Sequence, residues 1–175
     1  MSHNLLIVVD MQNDFISGPL GSAQAEAIVP RVCDKIRDWD GDVFYTKDTH
    51  FDDYLETLEG EHIPVEHCVV RSPGWQLDHR VMEALPESAD GFLKGTFGSV
   101  NLANYICDQE HYDRIEIIGL CTDICVVSNA LLLRAHYPDV PIAVDASCCA
   151  GTTEDNHKAA LQIMKQCCID VINAD

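Results

Sequence analysis

The sequence predicts an α/β fold with three layers, α/β/α, built around a mostly parallel sheet. A chain of 175 residues has the length of one domain, which we assign to residues 1–175. Short apolar runs rich in branched residues alternate along the chain with segments of helical periodicity. Strands that alternate with helices pair in parallel and are covered on both faces, so this alternation specifies the fold class.

Each element follows from a local pattern. Apolar runs predict strands, and apolar residues spaced three and four apart predict helices. The predicted strands cover residues 5–9, 43–46, 92–93, 115–119, 141–146 and 169–172. The predicted helices cover residues 23–39, 100–108, 123–136 and 154–167. Residues 49–76 have no regular period and contain glycines and prolines, so we expect a long functional excursion there.

The charge of the chain excludes several classes of function. Lys and Arg number 11 and Asp and Glu number 29, which gives a formal net charge of −18 at pH 7. Such a protein repels nucleic acid and anionic lipid surfaces, so we expect no nucleic-acid or membrane partner. The apolar runs are shorter than the ~20 residues that cross a bilayer. Residues 1–10 lack the basic region of a signal peptide, so we expect a cytoplasmic protein.

The nine cysteines are expected to be reduced thiols. Their number is odd, two pairs are adjacent in the sequence, and a chain of this length needs no disulfide to fold. No C-x-x-C pair occurs, which argues against a zinc ribbon and against a thioredoxin-type site. A thiol-redox protein is therefore the least favoured of the functions that we consider.

Three reactive side chains come directly after predicted strands. Asp10 follows the first strand, Lys94 the third, and Cys125 lies just beyond the fourth. The carboxyl ends of parallel strands border the ligand crevice of such a sheet, so these side chains are expected to meet. In the first turn of a helix and beside a lysine, the Cys125 thiol is expected to gain thiolate character. Taken singly, each residue also fits an ordinary role as a cap, a solvated charge or, like Cys121, a packed thiol.

Four segments of the chain together resemble one known family. The segments DMQNDF, FLKGTFGS, GLCTDICVV and VDASCCAGTTEDNHKAAL are similar to those of the isochorismatase-like cysteine hydrolases. The last of them contains Asp145 and His157, and the resemblance extends over about residues 4–172. It implies a Rossmann-like hydrolase fold.

The resemblance also implies a role for each reactive side chain. Cys125 would be the nucleophile, Asp10 the general base and Lys94 the cation that helps to activate the thiol. A cis peptide bond is implied between Leu120 and Cys121. The backbone N–H groups of Cys121 and Cys125 would then form the oxyanion hole.

Two motifs in the excursion, D-x-H and P-x-x-H-C, resemble the metal site of the nicotinamidases within this family. This resemblance implies Asp48, His50 and His67 as ligands of a divalent metal, with Zn²⁺ preferred and Fe²⁺ or Mn²⁺ as alternatives. A glutamate ligand is expected at Glu59, eleven residues after Asp48. The rival candidates are Glu56, Glu61 and His62. Taken singly, each of these residues also fits a polar loop position.

Aromatic residues are expected to form the walls of a pocket for a flat ring. Phe15 and Phe97 are the candidates, and ordinary core packing is the alternative for both. Members of the family often have a tryptophan where this chain has Pro64. Trp75 or Tyr54 would have to replace that tryptophan as the stacking partner.

The resemblance implies hydrolysis of nicotinamide to nicotinate and ammonia, a step of NAD salvage, through a cysteine thioester. Pyrazinamide, which has the same shape, would also be a substrate, and the metal would orient the ring of either compound. Family members are commonly oligomeric, so a homo-oligomer is expected. Two alternatives remain: a cysteine hydrolase of another small amide, and a non-catalytic binding member of the family.

Overall fold

Six strands form one sheet in this computed structural model, which describes residues 3–107 and 111–174. The strands are Asn4–Val9 (β1), Asp42–Asp48 (β2), Asp90–Lys94 (β3), Arg114–Leu120 (β4), Ile142–Ala150 (β5) and Asp170–Ile172 (β6). Their order across the sheet is β3-β2-β1-β4-β5-β6, and each neighbouring pair is parallel. This is a doubly wound order, which reverses direction between β1 and β4 and leaves a crevice at the carboxyl ends of these strands.

Helices cover both faces of the sheet. They are Asn13–Ile16 (α1), Ala23–Arg37 (α2), Leu58–His62 (α3), His79–Ala84 (α4), Val100–Cys107 (α5), Val127–His136 (α6) and Glu154–Gln166 (α7). Helices α1, α2 and α4 pack on one face, and α5, α6 and α7 pack on the other. None of the helices in the described part of the chain is long and apolar enough to span a membrane.

Strand β1 shows why the sheet must be covered on both sides. Successive side chains of a strand point to opposite faces. Leu5, Ile7 and Val9 belong to the core under α5–α7, and Leu6 and Val8 belong to the core under α1, α2 and α4. All five side chains are fully buried. The predicted three-layer α/β/α fold with a parallel sheet is therefore confirmed.

Strand β5 extends further than residues 141–146, where the sequence pattern predicted it. The polar residues Asp145 and Ser147 interrupt the apolar pattern, so the predicted strand ended at residue 146. In the structure the Ser147 N–H and hydroxyl both donate to Asp145 Oδ1, at 3.0 and 2.7 Å. The two polar side chains satisfy each other locally, so the strand continues to Ala150.

Several short helices have no counterpart among the predicted elements. Helices α1, α3 and α4 contain four to six residues, too few to display the period of 3.6 on which prediction depends. The 49–76 excursion contains α3 and a 3₁₀ turn at Tyr54–Glu56. The predicted helix 100–108 is observed as Val100–Cys107, and Asp108 lies outside the described residues.

A buried ion network joins α2 to the sheet. Lys35 Nζ lies 2.6 Å from Glu116 Oε1 on β4 and 2.8 Å from Asp145 Oδ2 on β5. Both carboxylates are almost completely buried. Burial raises the pKa of Asp145, but hydrogen bonds from Lys35, Ser147 and Asn173 outweigh it and lower this pKa below its usual value. The network therefore depends on the lysine charge.

Replacing Lys35 with methionine is expected to lower the free energy of unfolding by about 3 kcal/mol, because two buried carboxylates lose their shared cation. Urea denaturation followed by circular dichroism measures the change. Lys158→Met is the control, since Lys158 makes a 2.6 Å ion pair with Glu154 on the exposed surface of α7. The control is expected to show no measurable change. Equal losses in the two variants would contradict a stabilising role for the buried network.

Candidate active site

The candidate site lies at the carboxyl ends of β1, β2, β3 and β4. Asp10 directly follows β1 with a φ of 48°, a left-handed conformation that few residues other than glycine adopt. Its N–H donates to Thr46 O and to Thr46 Oγ1, each at 3.2 Å, and Thr46 Oγ1 donates to Asp10 Oδ1 at 2.7 Å. These bonds to β2 hold the Asp10 carboxylate over the crevice.

Lys94, the last residue of β3, lies at the centre of the site. Its Nζ is 2.6 Å from Asp10 Oδ2, 3.4 Å from Cys125 Sγ and 3.2 Å from Asp48 Oδ1. Burial would lower the pKa of Lys94, but the charges of Asp10, Cys125 and Asp48 raise it above its usual value. The side chain is therefore a permanent cation shared by an acid, a thiol and the carboxylate of a neighbouring cluster.

Cys125 is a buried thiol, with 4% of its surface exposed. Burial and the charge of Asp10 raise its pKa well above the usual value, and they outweigh the opposite effect of Lys94. The expected thiolate character does not hold for the protein at rest, because burial and the charge of Asp10 outweigh the effect of Lys94 on the pKa of the thiol. Lys94 Nζ joins the two groups, at 2.6 Å from Asp10 Oδ2 and 3.4 Å from Cys125 Sγ. Burial likewise raises the pKa of Asp10, against the effect of Lys94.

The turn that carries Cys125 is a π-helical turn, Thr122–Val126, which precedes α6. The peptide bond between Leu120 and Cys121 is cis, as predicted. The N–H groups of Ile124 and Val126 both donate to Cys121 O at 3.1 Å. These bonds fix the turn to the end of β4.

A second group of side chains adjoins Lys94 through Asp48. Asp48, His50, Glu59 and His67 each offer a ligand atom, and these atoms lie within 4.8 Å of one another. His50 Nε2 is 2.9 Å from Asp48 Oδ2 and 3.4 Å from Glu59 Oε1. His67 Nε2 is 3.4 and 3.7 Å from the same two oxygens. Three alternative candidates for the ligand position of Glu59 are exposed and lie outside this group: Glu56, Glu61 and His62.

The residues of this group fit a divalent metal ion. Glu59 Oε1 is buried and has no hydrogen-bond partner among the described residues. His67 Nδ1 is 2.8 Å from Val65 O, so in the neutral ring Nδ1 donates and Nε2 presents its lone pair to two carboxylate oxygens. Acceptors that face one another in this way are stabilised by a shared cation. Two imidazole nitrogens and two carboxylate oxygens suit Zn²⁺, Fe²⁺ or Mn²⁺.

Hydrogen bonds and charges also perturb the acids of this group. Burial raises the pKa of Asp48, but the nearby imidazoles of His50 and His67 and the charge of Lys94 reverse that effect and keep the pKa far below its usual value. Burial and the charge of Asp48 raise the pKa of Glu59. Asp48 is therefore the fully ionised carboxylate that contacts both Lys94 and the histidines.

Gln12 positions the backbone of Asp48 and was missed by the sequence analysis. Its Oε1 accepts the Asp48 N–H at 2.7 Å, and its Nε2 donates to Asp48 O at 2.8 Å and to Trp75 O at 3.0 Å. Gln12 is fully buried. Its place two residues after Asp10, within DMQNDF, is a signal that could have identified it.

Asn129 positions the backbone of Cys125 and was also missed. Its Nδ2 donates to Cys125 O at 2.8 Å and to Phe97 O at 3.1 Å, and its Oδ1 accepts the Ser99 N–H at 2.9 Å. The side chain thus joins α6 to the segment that follows β3. Its spacing of four residues from Cys125 on a helix was the available signal.

The aromatic candidates occupy different positions. Phe15 is buried, with its ring centroid 5.4 Å from that of His67. Half-buried Phe97 lines an apolar cavity of about 380 Å³ that reaches Glu59. Buried Tyr54 packs against the rings of His50 and His67, and the Trp75 ring has Lys47 Nζ 3.1 Å above its centroid. Phe97 is therefore the aromatic candidate that lines this cavity beside the ligand group.

Comparisons with known proteins found relatives that match nearly the whole chain. The nicotinamidase of Schizosaccharomyces pombe is 26% identical over 209 residues, covering 98% of this chain and 93% of the relative. The nicotinamidase/pyrazinamidase of Mycobacterium tuberculosis is 28% identical over 191 residues, covering 95% of this chain and 97% of the relative. The structure of the pyrazinamidase of Pyrococcus horikoshii in complex with zinc superposes with a TM-score of 0.84 at 26% identity, covering 97% of this chain and 98% of the other.

The family assignment rests on a match over nearly the whole chain. The model of the isochorismatase domain matches residues 4–175. That span contains all six strands and every side chain of the candidate site. The chain belongs to the isochorismatase family.

Proposed function

We propose that the protein is an amidohydrolase that converts nicotinamide to nicotinate and ammonia through a thioester on Cys125. The observation that carries this proposal is the position of Lys94 Nζ, within 3.4 Å of Asp10, Cys125 and Asp48. One buried cation thereby joins a thiol–carboxylate pair to a group of metal-ligand side chains. The curated relatives with nicotinamidase names support the same substrate.

In the acylation step the Cys125 sulfur attacks the carboxamide carbon. Its proton passes to Asp10, which contacts the same Lys94 Nζ as the thiol. The backbone N–H groups of Cys121 and Cys125 stabilise the oxyanion that develops on the carbonyl oxygen. The C–N bond breaks, Asp10 returns the proton to the leaving nitrogen, and ammonia departs.

In the deacylation step water replaces ammonia. Asp10 accepts a proton from the water molecule as its oxygen attacks the thioester carbon. The C–S bond breaks, Asp10 gives the proton that it took from water to the sulfur, and the acid leaves as nicotinate with its own proton lost to solvent. Lys94 keeps its charge throughout, since its pKa lies above the usual value, and it stabilises the sulfur anion as it forms.

Asp48, His50, Glu59 and His67 would hold a divalent metal, with Zn²⁺ preferred and Fe²⁺ or Mn²⁺ as alternatives. When bound, the metal supplies a Lewis-acid contact for the pyridine nitrogen and so fixes the orientation of the carboxamide. Phe15 and Phe97 would pack against the faces of the ring. This role is one of orientation, and the proton transfers belong to Asp10.

Release of ammonia from nicotinamide by purified, reduced protein tests the proposed function. Turnover of nicotinamide and of pyrazinamide is expected, with nicotinate and pyrazinoate as the acid products. Benzamide has the same shape but lacks the ring nitrogen, so its turnover is expected to be at least about 100-fold slower. Turnover of another small amide with none of nicotinamide would reject the substrate but keep the thiol chemistry.

Removal of the metal is expected to lower ammonia release at least about tenfold, since an unoriented carboxamide seldom meets Cys125. Chelation followed by addition of Zn²⁺ should restore the rate, with metal content measured in parallel. His67→Ala is expected to lose the metal, whereas His62→Ala, at an exposed position outside the group, should retain it. A full rate in metal-free protein would contradict the role of these four side chains.

Three further assignments accompany this function. We propose that residues 1–175 form one domain. We also propose that the protein acts in the cytoplasm, as part of NAD salvage. The third proposal is that it forms a homo-oligomer. The free state of all nine cysteines supports a reducing compartment. Sedimentation velocity at micromolar concentration tests the oligomer.

A further inference from the structure

A histidine outside the proposed catalytic group contacts the turn that carries Cys125. His157 Nδ1, on α7, lies 2.8 Å from Thr122 Oγ1. Thr122 is fully buried, and His157 is half-buried. Burial lowers the pKa of His157 below its usual value, so the ring is neutral near pH 7. The proposed mechanism does not use this contact.

The segment between β5 and α7 holds the same turn at a second point. Asp123 Oδ1 accepts the Thr152 N–H at 2.8 Å, and Asp123 Oδ2 accepts the Thr152 hydroxyl at 2.6 Å. Gly151 allows this close approach, because a Cβ there would lie 2.8 Å from the Cβ of His157 and 2.9 Å from Asp123 Oδ1. Two adjacent side chains of the Cys125 turn, Thr122 and Asp123, therefore bind residues outside the turn, namely His157 and Thr152.

We propose that His157 is a positioning residue for the Cys125 turn, acting through the contact of its Nδ1 with Thr122. This inference rests on the proposed role of Cys125 as the nucleophile. Thr122 follows Cys121 directly and precedes Cys125 by three residues. Thr122, which His157 contacts, therefore lies in the chain between Cys121 and Cys125, whose N–H groups form the proposed oxyanion hole.

A small rotation of this turn would disturb two geometries at once. It would change the 3.4 Å distance from Lys94 Nζ to Cys125 Sγ. It would also redirect the N–H groups of Cys121 and Cys125 relative to each other. Misplacement of reacting groups by about 1 Å costs about 100-fold in rate. The side chains proposed to bind the metal and the ring belong to α1, β2, the 49–76 excursion and the segment after β3, whereas His157 contacts Thr122 of the turn.

Two substitutions of His157 can distinguish a contact made through Nδ1 from one made through Nε2. An asparagine side chain places an amide atom near the position of Nδ1, whereas glutamine places one near that of Nε2. His157→Asn is therefore expected to retain kcat within about threefold. His157→Gln is expected to lower kcat about 10- to 100-fold, with KM and metal content unchanged. His136→Gln is the control, since His136 on α6 is exposed and its Nδ1 contacts Leu132 O at 2.9 Å. This control should leave kcat unchanged.

Alkylation of Cys125 by iodoacetamide gives a second readout that needs no substrate. Peptide mass spectrometry measures its rate separately from those of the other eight cysteines. The rate is expected to change in His157→Gln and to match the wild-type rate in His157→Asn. Equal behaviour of the two variants, in both kcat and alkylation, would overturn the inference. If nicotinamide proves not to be a substrate, the alkylation rates alone decide between these outcomes.

Discussion

Replacing Cys125 with alanine is expected to reduce ammonia release from nicotinamide about 10⁴-fold or more, because the thioester can no longer form. Cys125 is 4% exposed and lies 3.4 Å from Lys94 Nζ, at the centre of the site. The substitution removes one small side-chain atom and leaves Asp10 and Lys94 paired at 2.6 Å. Fold and metal content should therefore persist. Steady-state ammonia assays, with thermal melting and metal analysis, measure all three properties.

Cys33→Ala is the matched control for this experiment. Cys33 is 3% exposed, so its truncation also removes a buried thiol, but it lies on α2 away from the site. The control should lose some stability and keep its full kcat. A Cys125→Ala protein that releases ammonia at the wild-type rate would reject the covalent mechanism. Loss of the fold in that variant alone would mark Cys125 as a structural residue.

Substituting Asp10 with asparagine is expected to lower kcat about 1,000-fold, the usual effect of removing a general base. The side chain keeps its shape, and its amide oxygen can still accept the hydrogen bond from Thr46 Oγ1. It can no longer take the proton of Cys125. The exposed residue Asp38 supplies the control, since Asp38→Asn makes the same change of charge at the end of α2.

The pH dependence of kcat/KM provides a second signature of Asp10. A general base must be ionised, so activity falls as the pH drops through its pKa. Burial raises the pKa of Asp10 above its ordinary value of 3.8, so the acid limb of the wild-type profile should lie at higher pH than for an exposed aspartate. The residual activity of Asp10→Asn should lack this limb. An identical limb in both proteins would assign it to another group.

The location of the site could be predicted from the sequence because parallel strands bring their carboxyl ends to one edge of the sheet. Asp10, Lys94 and Cys125 are far apart in the chain, but each lies at or just beyond the carboxyl end of a strand, and the structure places Lys94 Nζ within 3.4 Å of the other two side chains. Local pattern and sheet topology together were sufficient for this part of the site. Asp48 and His50 were expected from the resemblance to the metal site of the nicotinamidases, and Asp48 Oδ1 lies 3.2 Å from Lys94 Nζ.

Other features depend on packing that no local pattern displays. The pKa of Cys125 is raised because the folded chain buries the thiol, and burial is a property of the assembled core. The contact between Thr122 and His157 joins residues 35 positions apart. In each case the decisive partner is brought close only by folding.

The thioester is tested most directly by acid quenching of the wild-type protein within its first turnovers of saturating nicotinamide. Peptide mass spectrometry then determines which cysteine carries a nicotinoyl group. We expect this group on the Cys125 peptide, together with an initial release of ammonia that precedes nicotinate. Ammonia and nicotinate that appear together from the first turnover, while Cys125 stays unmodified at every quench time, would contradict it.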